Sequence, residues 1–107
     1  QARLVEPPLP KHVDHKQAYL DFEKTGTNIQ IRFFQSGDSF VPLGMSGHKK
    51  IKSYFIDQKV PREERSLIPI LTNCHDDIIW VYGERISDSF RVAENTKKVL
   101  FIEGKRL

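Results

Sequence analysis

Apolar and polar residues alternate along several short stretches of the chain, which is the pattern of β-strands with one buried face. Residues 19–23 and 29–34 alternate in this way, and the turn-forming stretch between them predicts that they pair as a hairpin. Two strongly apolar runs, 67–71 and 78–82, predict a second and more central hairpin. Shorter strands are expected at residues 40–43, 86–92 and 99–103.

Between residues 48 and 58 the spacing of the apolar residues changes from the alternation of a strand to the three- and four-residue spacing of a helix. Ile51, Tyr54 and Phe55 are spaced as one stripe of a helix. Pro61 ends this predicted helix, because proline disfavours the helical conformation of the residue before it, and residues 62–65 can form one further turn. The sequence therefore predicts an α+β fold dominated by β-structure, with about six or seven short strands in hairpins, one amphipathic helix and a short helical turn.

The length limits the chain to one domain, because 107 residues bury a single compact core. Residues 1–16 contain three prolines and no periodicity, so we interpret them as a leader or linker and residues 17–107 as a single domain. Gln1 stands where an initiator methionine would be, so we expect a fragment of a longer protein. A single cysteine excludes an intrachain disulfide, and the lack of a membrane-length apolar run or a signal peptide predicts a cytoplasmic protein.

The formal net charge of +3 is not spread evenly along the chain. Acidic and basic residues balance in 1–47 and again in 66–107, so the whole excess lies in residues 48–65, which we call the basic segment. His48 can add a further charge in mildly acidic solution. A local excess of cations is typical of a phosphate-binding surface, although a solvated helix face has the same composition. The cations of the basic segment are Lys49, Lys50, Lys52, Lys59, Arg62 and Arg65.

A glycine-rich stretch, which we call the glycine loop, lies just before the basic segment. It runs from Gly44 to Gly47 and is followed at once by His48 and two lysines. Two glycines let a backbone approach a phosphate closely, and the free N–H groups of a helix that began here would point at the phosphate. The pattern favours a phosphate contact that includes Gly47. The alternative is a turn that only redirects the chain.

The remaining candidate side chains do not form a catalytic or metal-binding set. Residues 12–15 and 74–77 contain His, Cys and Asp, but they lack partners at ligand spacing, so we interpret both as turns and predict no metal site. Asp38 and Asp88 are expected to cap turns. The fragment is therefore predicted to be non-catalytic and to hold no cofactor. Core packing, rather than base stacking, is expected for the aromatic residues Trp80, Phe33, Phe34, Tyr54 and Phe55.

The chain resembles one family over residues 31–101. The motifs, in order, are GDSFVPLGM, GHKKIK, FIDQKVPR, IWV, RISDSFRV and TKKVL. They are similar to motifs of the C-terminal domain of bacterial tRNA(Ile)-lysidine synthetases.

The resemblance implies a place inside a larger ligase. Members of this family use ATP, with magnesium, to join lysine to the wobble cytidine of a tRNA(Ile) with a CAU anticodon, in a catalytic domain that lies N-terminal to this one. The C-terminal domain is then expected to bind the acceptor stem of that tRNA and to have the catalytic domain as its other partner. The matched positions imply phosphate contacts at Lys49, Lys50, Lys52, Lys59, Arg62, Arg91, Lys97 and Lys98. With Gly47, His48 and Arg65 from the loop and charge patterns, these residues are the candidate tRNA-binding set.

Two positions depart from the family pattern. Ser39 stands where arginine often follows the Gly-Asp pair, and His48 stands where arginine or lysine often precedes the lysine pair. These departures predict one or two fewer phosphate contacts, so RNA binding would be weaker but not abolished. An alternative hypothesis is an interdomain module whose basic helix docks on an acidic surface of the catalytic domain without touching RNA. An independent small-molecule enzyme is disfavoured, because no acid, base or nucleophile set converges.

Overall fold

The computed structural model describes residues 1–10 and 13–104. It confirms an α+β fold dominated by β-structure, with eight short strands in the described residues. A 3-10 turn covers Asp88–Phe90. The other elements, in chain order, are β1 (Ala2–Val5), β2 (Gln17–Asp21), α1 (Phe22–Thr25), β3 (Gln30–Phe33), β4 (Ser39–Phe40), β5 (Lys49–Lys50), α2 (Ile51–Asp57), α3 (Arg62–Arg65), β6 (Pro69–Thr72), β7 (Ile78–Val81) and β8 (Val99–Glu103).

Two antiparallel sheets of three strands form the core. The first sheet has the order β1-β8-β2, the second sheet has the order β3-β6-β7, and β4 and β5 form a separate two-stranded ribbon. Strands β6 and β7 form the predicted central hairpin, in which Ile70 lies opposite Val81 and Leu71 opposite Trp80. All four residues of β7 are buried. This burial explains why the strand has a continuous apolar run instead of an alternation.

The second sheet is the middle layer of the fold. On one face, Ile70 and Val81 pack in a cluster with Ile51, Tyr54 and Phe55 of α2. On the other face, Leu71 and Trp80 pack in a cluster with residues of the first sheet, including Leu20, Leu100 and Ile102. The three residues of the predicted helical stripe are all buried, which confirms the helix, and α3 forms at the predicted further turn.

The predicted first hairpin is wrong. β2 pairs with β8 and β3 pairs with β6, so the two strands belong to different sheets. Asp21 lies where the chain leaves β2. Its carboxylate caps α1 by accepting a hydrogen bond from the N–H of Glu23 at 3.1 Å, and it accepts a second hydrogen bond from the hydroxyl of Thr96 at 3.0 Å. Alternation with a period of two identifies the buried face of a strand but not its partner, which is why the pairing was missed.

Part of the predicted leader is a strand. Residues Ala2–Val5 pair with β8 from Ala2 opposite Ile102 to Val5 opposite Val99, and the guanidinium of Arg3 lies 5.0 Å from the centroid of the Phe101 ring. The leader prediction is therefore wrong for these residues. β1 is an exposed edge strand, so it has no buried face to create an alternating pattern.

Three other local predictions need correction. Residues 86–92 do not form a strand, because Ile86 and Ser87 make only single bridges before the 3-10 turn begins. The strand predicted at 40–43 is shorter and includes only Phe40 of those residues. Phe33 is 54% exposed instead of buried, because β3 is an edge strand and the first sheet does not cover that end of it. Of the turn predicted at residues 12–15, His12 lies outside the described residues.

Candidate functional site

The basic segment extends over β5, α2 and α3. The sequence predicted that the glycine loop begins the helix, and this prediction is wrong. Strand β5 lies between the loop and α2 and pairs with β4. The N–H of Ile51, at the start of α2, already donates to the carbonyl of Asp38 at 2.9 Å. A phosphate contact through the first turn of the helix is therefore not part of the site, and the glycine loop has to be considered by itself.

The glycine loop is an exposed turn tied to a distant part of the chain. Gly44 has φ +85°, a conformation that favours glycine, and its N–H donates to Asp88 Oδ1 at 3.1 Å. The N–H of Met45 donates to the carbonyl of Pro42 at 2.9 Å, which closes the turn. Gly47 has no heavy atom within 4 Å of the position that a Cβ would take, so the backbone there is open to approach from solvent.

A shallow hollow forms where the glycine loop meets the 3-10 turn. Four predicted site residues line it together. Arg91 is brought to the hollow by Asp88, whose Oδ2 accepts a hydrogen bond from the Arg91 guanidinium at 3.0 Å while its Oδ1 holds Gly44. Asp88 caps the loop, as the sequence predicted, but nothing in the sequence showed that it also places Arg91 beside the loop. The four residues are Gly47, His48, Lys49 and Arg91.

Not all cations of the predicted site are equally available. Lys49 forms an ion pair with Asp57, and Arg91 forms one with Asp88. Arg65 is half-buried and its Nε donates to the carbonyl of Val60 at 3.0 Å, so part of its guanidinium is already engaged within the fold. Four exposed cations of the basic segment make no ion pair within the described part of the chain, and they carry its available positive charge: Lys50, Lys52, Lys59 and Arg62.

Lys97 and Lys98 lie apart from the hollow. They are exposed and lead into β8 of the first sheet, and neither lines the hollow. The loop that carries them is held by the hydroxyl of Thr96 on Asp21, and the carbonyl of Lys98 accepts the N–H of Phe22 at 3.1 Å. The structure thus divides the predicted set into a group around the glycine loop and α2 and a pair at the start of β8.

Arg32 and Asp38 fix the base of the ribbon. The Arg32 guanidinium makes two hydrogen bonds of 2.9 Å to Asp38 and one of 2.9 Å to Asp76, and the N–H of Gln35 donates to Asp38 at 2.8 Å. Burial raises the pKa of Asp38, but the hydrogen bonds from Arg32 and Gln35 and the Arg32 charge lower it more, so the net pKa lies below its ordinary value. Because the Asp38 carbonyl holds the first N–H of α2, this network also positions the basic segment.

Tyr54 attaches α2 to the turn after β7. Its hydroxyl donates to Glu84 at 3.2 Å and accepts the N–H of Arg85 at 3.3 Å. Burial raises the pKa of Tyr54, so the hydroxyl stays protonated and can donate this hydrogen bond at neutral pH. Helix α2 is therefore anchored by polar contacts as well as by its apolar stripe, and its exposed lysines project from a fixed support.

The described residues show no arrangement for metal binding or membrane crossing. No group of three or more His, Cys, Asp or Glu side chains among them could hold a metal ion. In residues 74–77 the turn is instead organised by Asn73, whose side-chain oxygen accepts the N–H groups of His75 at 3.0 Å and Asp77 at 2.9 Å. No helix within residues 1–10 and 13–104 is long and apolar enough to cross a membrane.

Comparison with known proteins decides the family. Residues 29–102 match the family described as the TilS substrate C-terminal domain. The chain belongs to this family. It is 47% identical over 85 residues to the tRNA(Ile)-lysidine synthase of Caldanaerobacter subterraneus subsp. tengcongensis, an alignment that covers 79% of this chain and 18% of the relative. It is 40% identical over 103 residues to the enzyme of the same name from Geobacter sulfurreducens, covering 94% of this chain and 22% of that protein.

Solved structures support the same assignment. A crystal structure of a TilS C-terminal domain superposes with a TM-score of 0.82 at 25% identity, covering 95% of this chain and 78% of that one. An N-terminal fragment of the phenylalanyl-tRNA synthetase β-subunit from Pyrococcus horikoshii superposes with a TM-score of 0.68 at 17% identity, covering 79% of this chain and 26% of that one, and it shows a shared fold alone. The chain spans about a fifth of the length of the curated relatives it matches.

Proposed function

We propose that this TilS C-terminal domain binds the acceptor stem of a tRNA(Ile) with a CAU anticodon and positions it for a tRNA(Ile)-lysidine synthase. The full-length enzyme would use ATP, with magnesium, in a preceding catalytic domain to join lysine to the wobble cytidine. It would act in the cytoplasm, and this domain would supply no catalytic group. The observation that carries the proposal is a set of exposed cations on the basic segment, without an ion pair among residues 1–10 and 13–104, beside an open glycine loop in a chain of this family.

The chemistry of the surface suits a duplex stem better than a single strand. Proteins recognise A-form RNA mainly by its shape, its phosphates and its 2′-hydroxyl groups, whereas single strands are held by stacking on exposed aromatic rings. Tyr54, Phe55 and Trp80 are buried, so they cannot stack on bases. Lys50 and Lys52 project from β5 and the start of α2, and the open backbone at Gly47 can come close to a phosphate oxygen.

The Lys50→Ala/Lys52→Ala double variant tests this role. We expect it to weaken binding of an acceptor-stem minihelix about tenfold at low salt, and to reduce the slope of log affinity against log salt concentration by somewhat less than two, because two phosphate contacts are lost. Binding is measured by fluorescence anisotropy across a salt series, with whole tRNA(Ile) in parallel.

The matched control is Lys16→Ala/Lys24→Ala, which removes the same charge from two exposed lysines outside the basic segment. Thermal melting shows whether all variants are folded. An equal loss of affinity in both double variants would mean that only the net charge matters. No loss in either, or no binding of the minihelix at low salt, would contradict the proposal and favour a module without RNA contact.

A further inference from the structure

An apolar face lies on the opposite side of the second sheet from α2. Ile31 pairs with Leu71, so its side chain lies on the face that packs against the first sheet, while Ile70 faces α2. The first sheet covers Leu71 and Trp80 but not the β3 margin. There Ile31 is 69% exposed, Phe33 is 54% exposed and Leu67, just before β6, is 63% exposed. Neighbouring exposed apolar side chains of this size commonly mark an interaction site.

A groove, which we call the outer groove, runs along this face between the two sheets. It has a volume of about 280 Å³, and the residues that line it include Ile31, Leu67, Leu71, Trp80 and Tyr82. Gln1 and Glu103 also line it, and they are fixed to each other by two backbone hydrogen bonds of 2.9 and 2.8 Å. Glu103 is the only acidic or basic side chain among the described residues that line the groove, and it accepts a hydrogen bond from Gln17 at 3.0 Å.

We propose that the outer groove and the adjoining Phe33 dock the part of the full-length polypeptide that precedes residue 1, through apolar side chains of that part. The inference rests on the proposed function, in which this chain is the C-terminal domain of a longer enzyme. The curated relatives are more than four times as long, and the family is described as a C-terminal domain. In a protein built in this way, the preceding polypeptide is joined directly to Gln1, which lines the groove.

Charge and position distinguish this face from the proposed RNA surface. Within residues 1–10 and 13–104, the lining of the groove has one acidic side chain and no basic one, so these residues do not favour a phosphate contact. The basic segment includes α2, which packs on the other face of the second sheet, so both surfaces can be occupied at the same time. The two proposed contacts therefore differ in kind: apolar burial toward the preceding part of the enzyme on one face, and phosphate contacts on the other.

Site-specific photo-crosslinking in the full-length protein tests the docking. Benzoylphenylalanine replaces Ile31 in one variant and Leu67 in a second, and it replaces Ile56 in a control, because Ile56 is 52% exposed on α2. We expect both test positions to form intramolecular cross-links to the preceding part of the polypeptide at least fivefold more efficiently than position 56. Peptide mass spectrometry locates the cross-links, and thermal melting confirms that each variant folds.

Each other outcome overturns the docking. Cross-links between two copies would identify a self-association face, cross-links to tRNA alone would identify a nucleic-acid surface, and no cross-links would show that the groove stays free. Equal efficiency at position 56 would show that the contact is not specific to this face. The minihelix titration of the Lys50→Ala/Lys52→Ala variant is made separately. If those substitutions leave RNA binding unchanged while position 31 cross-links, the proposed RNA role fails and the docking stands; the converse result rejects only the docking.

Discussion

Arg32 joins three parts of the chain through one guanidinium group. It lies on β3, binds Asp38 at the turn before β4, and binds Asp76 at the turn between β6 and β7. Its own pKa is raised by the hydrogen bond to Asp38 against the opposing effect of burial, so it stays charged at every accessible pH. Because the pair is only partly buried, its contribution to stability comes from well-oriented hydrogen bonds more than from charge attraction alone.

The Asp38→Asn variant should lower the free energy of unfolding by about 1–2 kcal/mol at pH 7, because two charge-assisted hydrogen bonds from Arg32 are weakened. Urea unfolding measures this change. The exposed Asp14→Asn variant is the control for a lost negative charge, and we expect it to change stability by less than about 0.5 kcal/mol. Equal effects of the two substitutions would show that the Arg32 network contributes no specific stability.

The same pair predicts how stability changes with pH. The pKa of Asp38 in the folded protein lies below its ordinary value of 3.8, so the stabilisation is complete above that value and is lost as the pH falls through the folded-state pKa. The gap in unfolding free energy between the wild type and Asp38→Asn should therefore be constant from pH 7 to pH 5 and narrow below about pH 4. If this difference in unfolding free energy widens as the pH falls, the predicted direction of the pH dependence is wrong.

Asp88 has two opposite consequences for the hollow. It holds Gly44 and Arg91 in place, but it also puts a negative charge beside the proposed phosphate site. In Asp88→Asn the side-chain oxygen can still accept the Gly44 N–H, while the competing charge disappears. We expect minihelix affinity to rise about threefold at low salt. The control is Glu23→Gln, which removes an exposed charge on α1 and should change affinity less. Weaker binding by Asp88→Asn would mean that holding Arg91 matters more than repulsion.

At the scale of elements, α2 shows how a short helix is kept by tertiary packing. Seven residues are too few for a stable isolated helix. Phe55 is fully buried, and its ring makes an edge contact with Phe34 at a centroid distance of 5.8 Å. The neighbouring Ile56 points away from this contact and is 52% exposed. The stripe that was visible in the sequence therefore decides which of two adjacent apolar residues supports the fold.

Phe55→Ala should lower the free energy of unfolding by about 3–4 kcal/mol, because it removes a buried ring and leaves a cavity between α2 and the second sheet. Ile56→Ala is the matched control on the same helix and should cost less than about 1 kcal/mol. Chemical denaturation measures both. Similar losses at the two positions would show that α2 does not pack on the second sheet through the predicted stripe.

At the scale of the whole molecule, the two ends of the described chain meet in one sheet. β1 and β2 flank β8 on its two edges, so the last strand is stabilised by the first and the second. The fold is therefore complete only when residues far apart in the sequence are brought together, and β1 protects an edge that would otherwise be open to other chains.

Deletion of residues 1–5 should lower the free energy of unfolding by about 2 kcal/mol, because four residue pairs with β8 and the contact of Arg3 with Phe101 are lost. It should also increase self-association through the exposed edge of β8. Thermal melting and size-exclusion chromatography with light scattering measure the two effects. The control is Glu6→Gln, just outside the strand. A deletion variant as stable and monomeric as the control would show that β1 does not contribute to the sheet in solution.

Local patterns were sufficient for many elements and for part of the site. The stripe of α2, the β6–β7 hairpin and the charge excess of the basic segment each depend on residues close together in the sequence. β3 and Phe33 show the limit of such patterns, because alternation marks a possible core face but cannot show whether another layer covers it. The same limit explains β1, whose edge position leaves no pattern to detect.

The sequence alone determined that α2, β6 and β7 form, where the positive charge is concentrated, and which family the motifs resemble, because all of these depend on the order of neighbouring residues. Only the tertiary structure decided that β2 and β3 belong to different sheets and that Lys49 and Arg91 are already paired with carboxylates. It also brought Arg91 to the glycine loop through Asp88. Such contacts join residues that are distant along the chain, so they depend on how whole layers pack and leave no local signal.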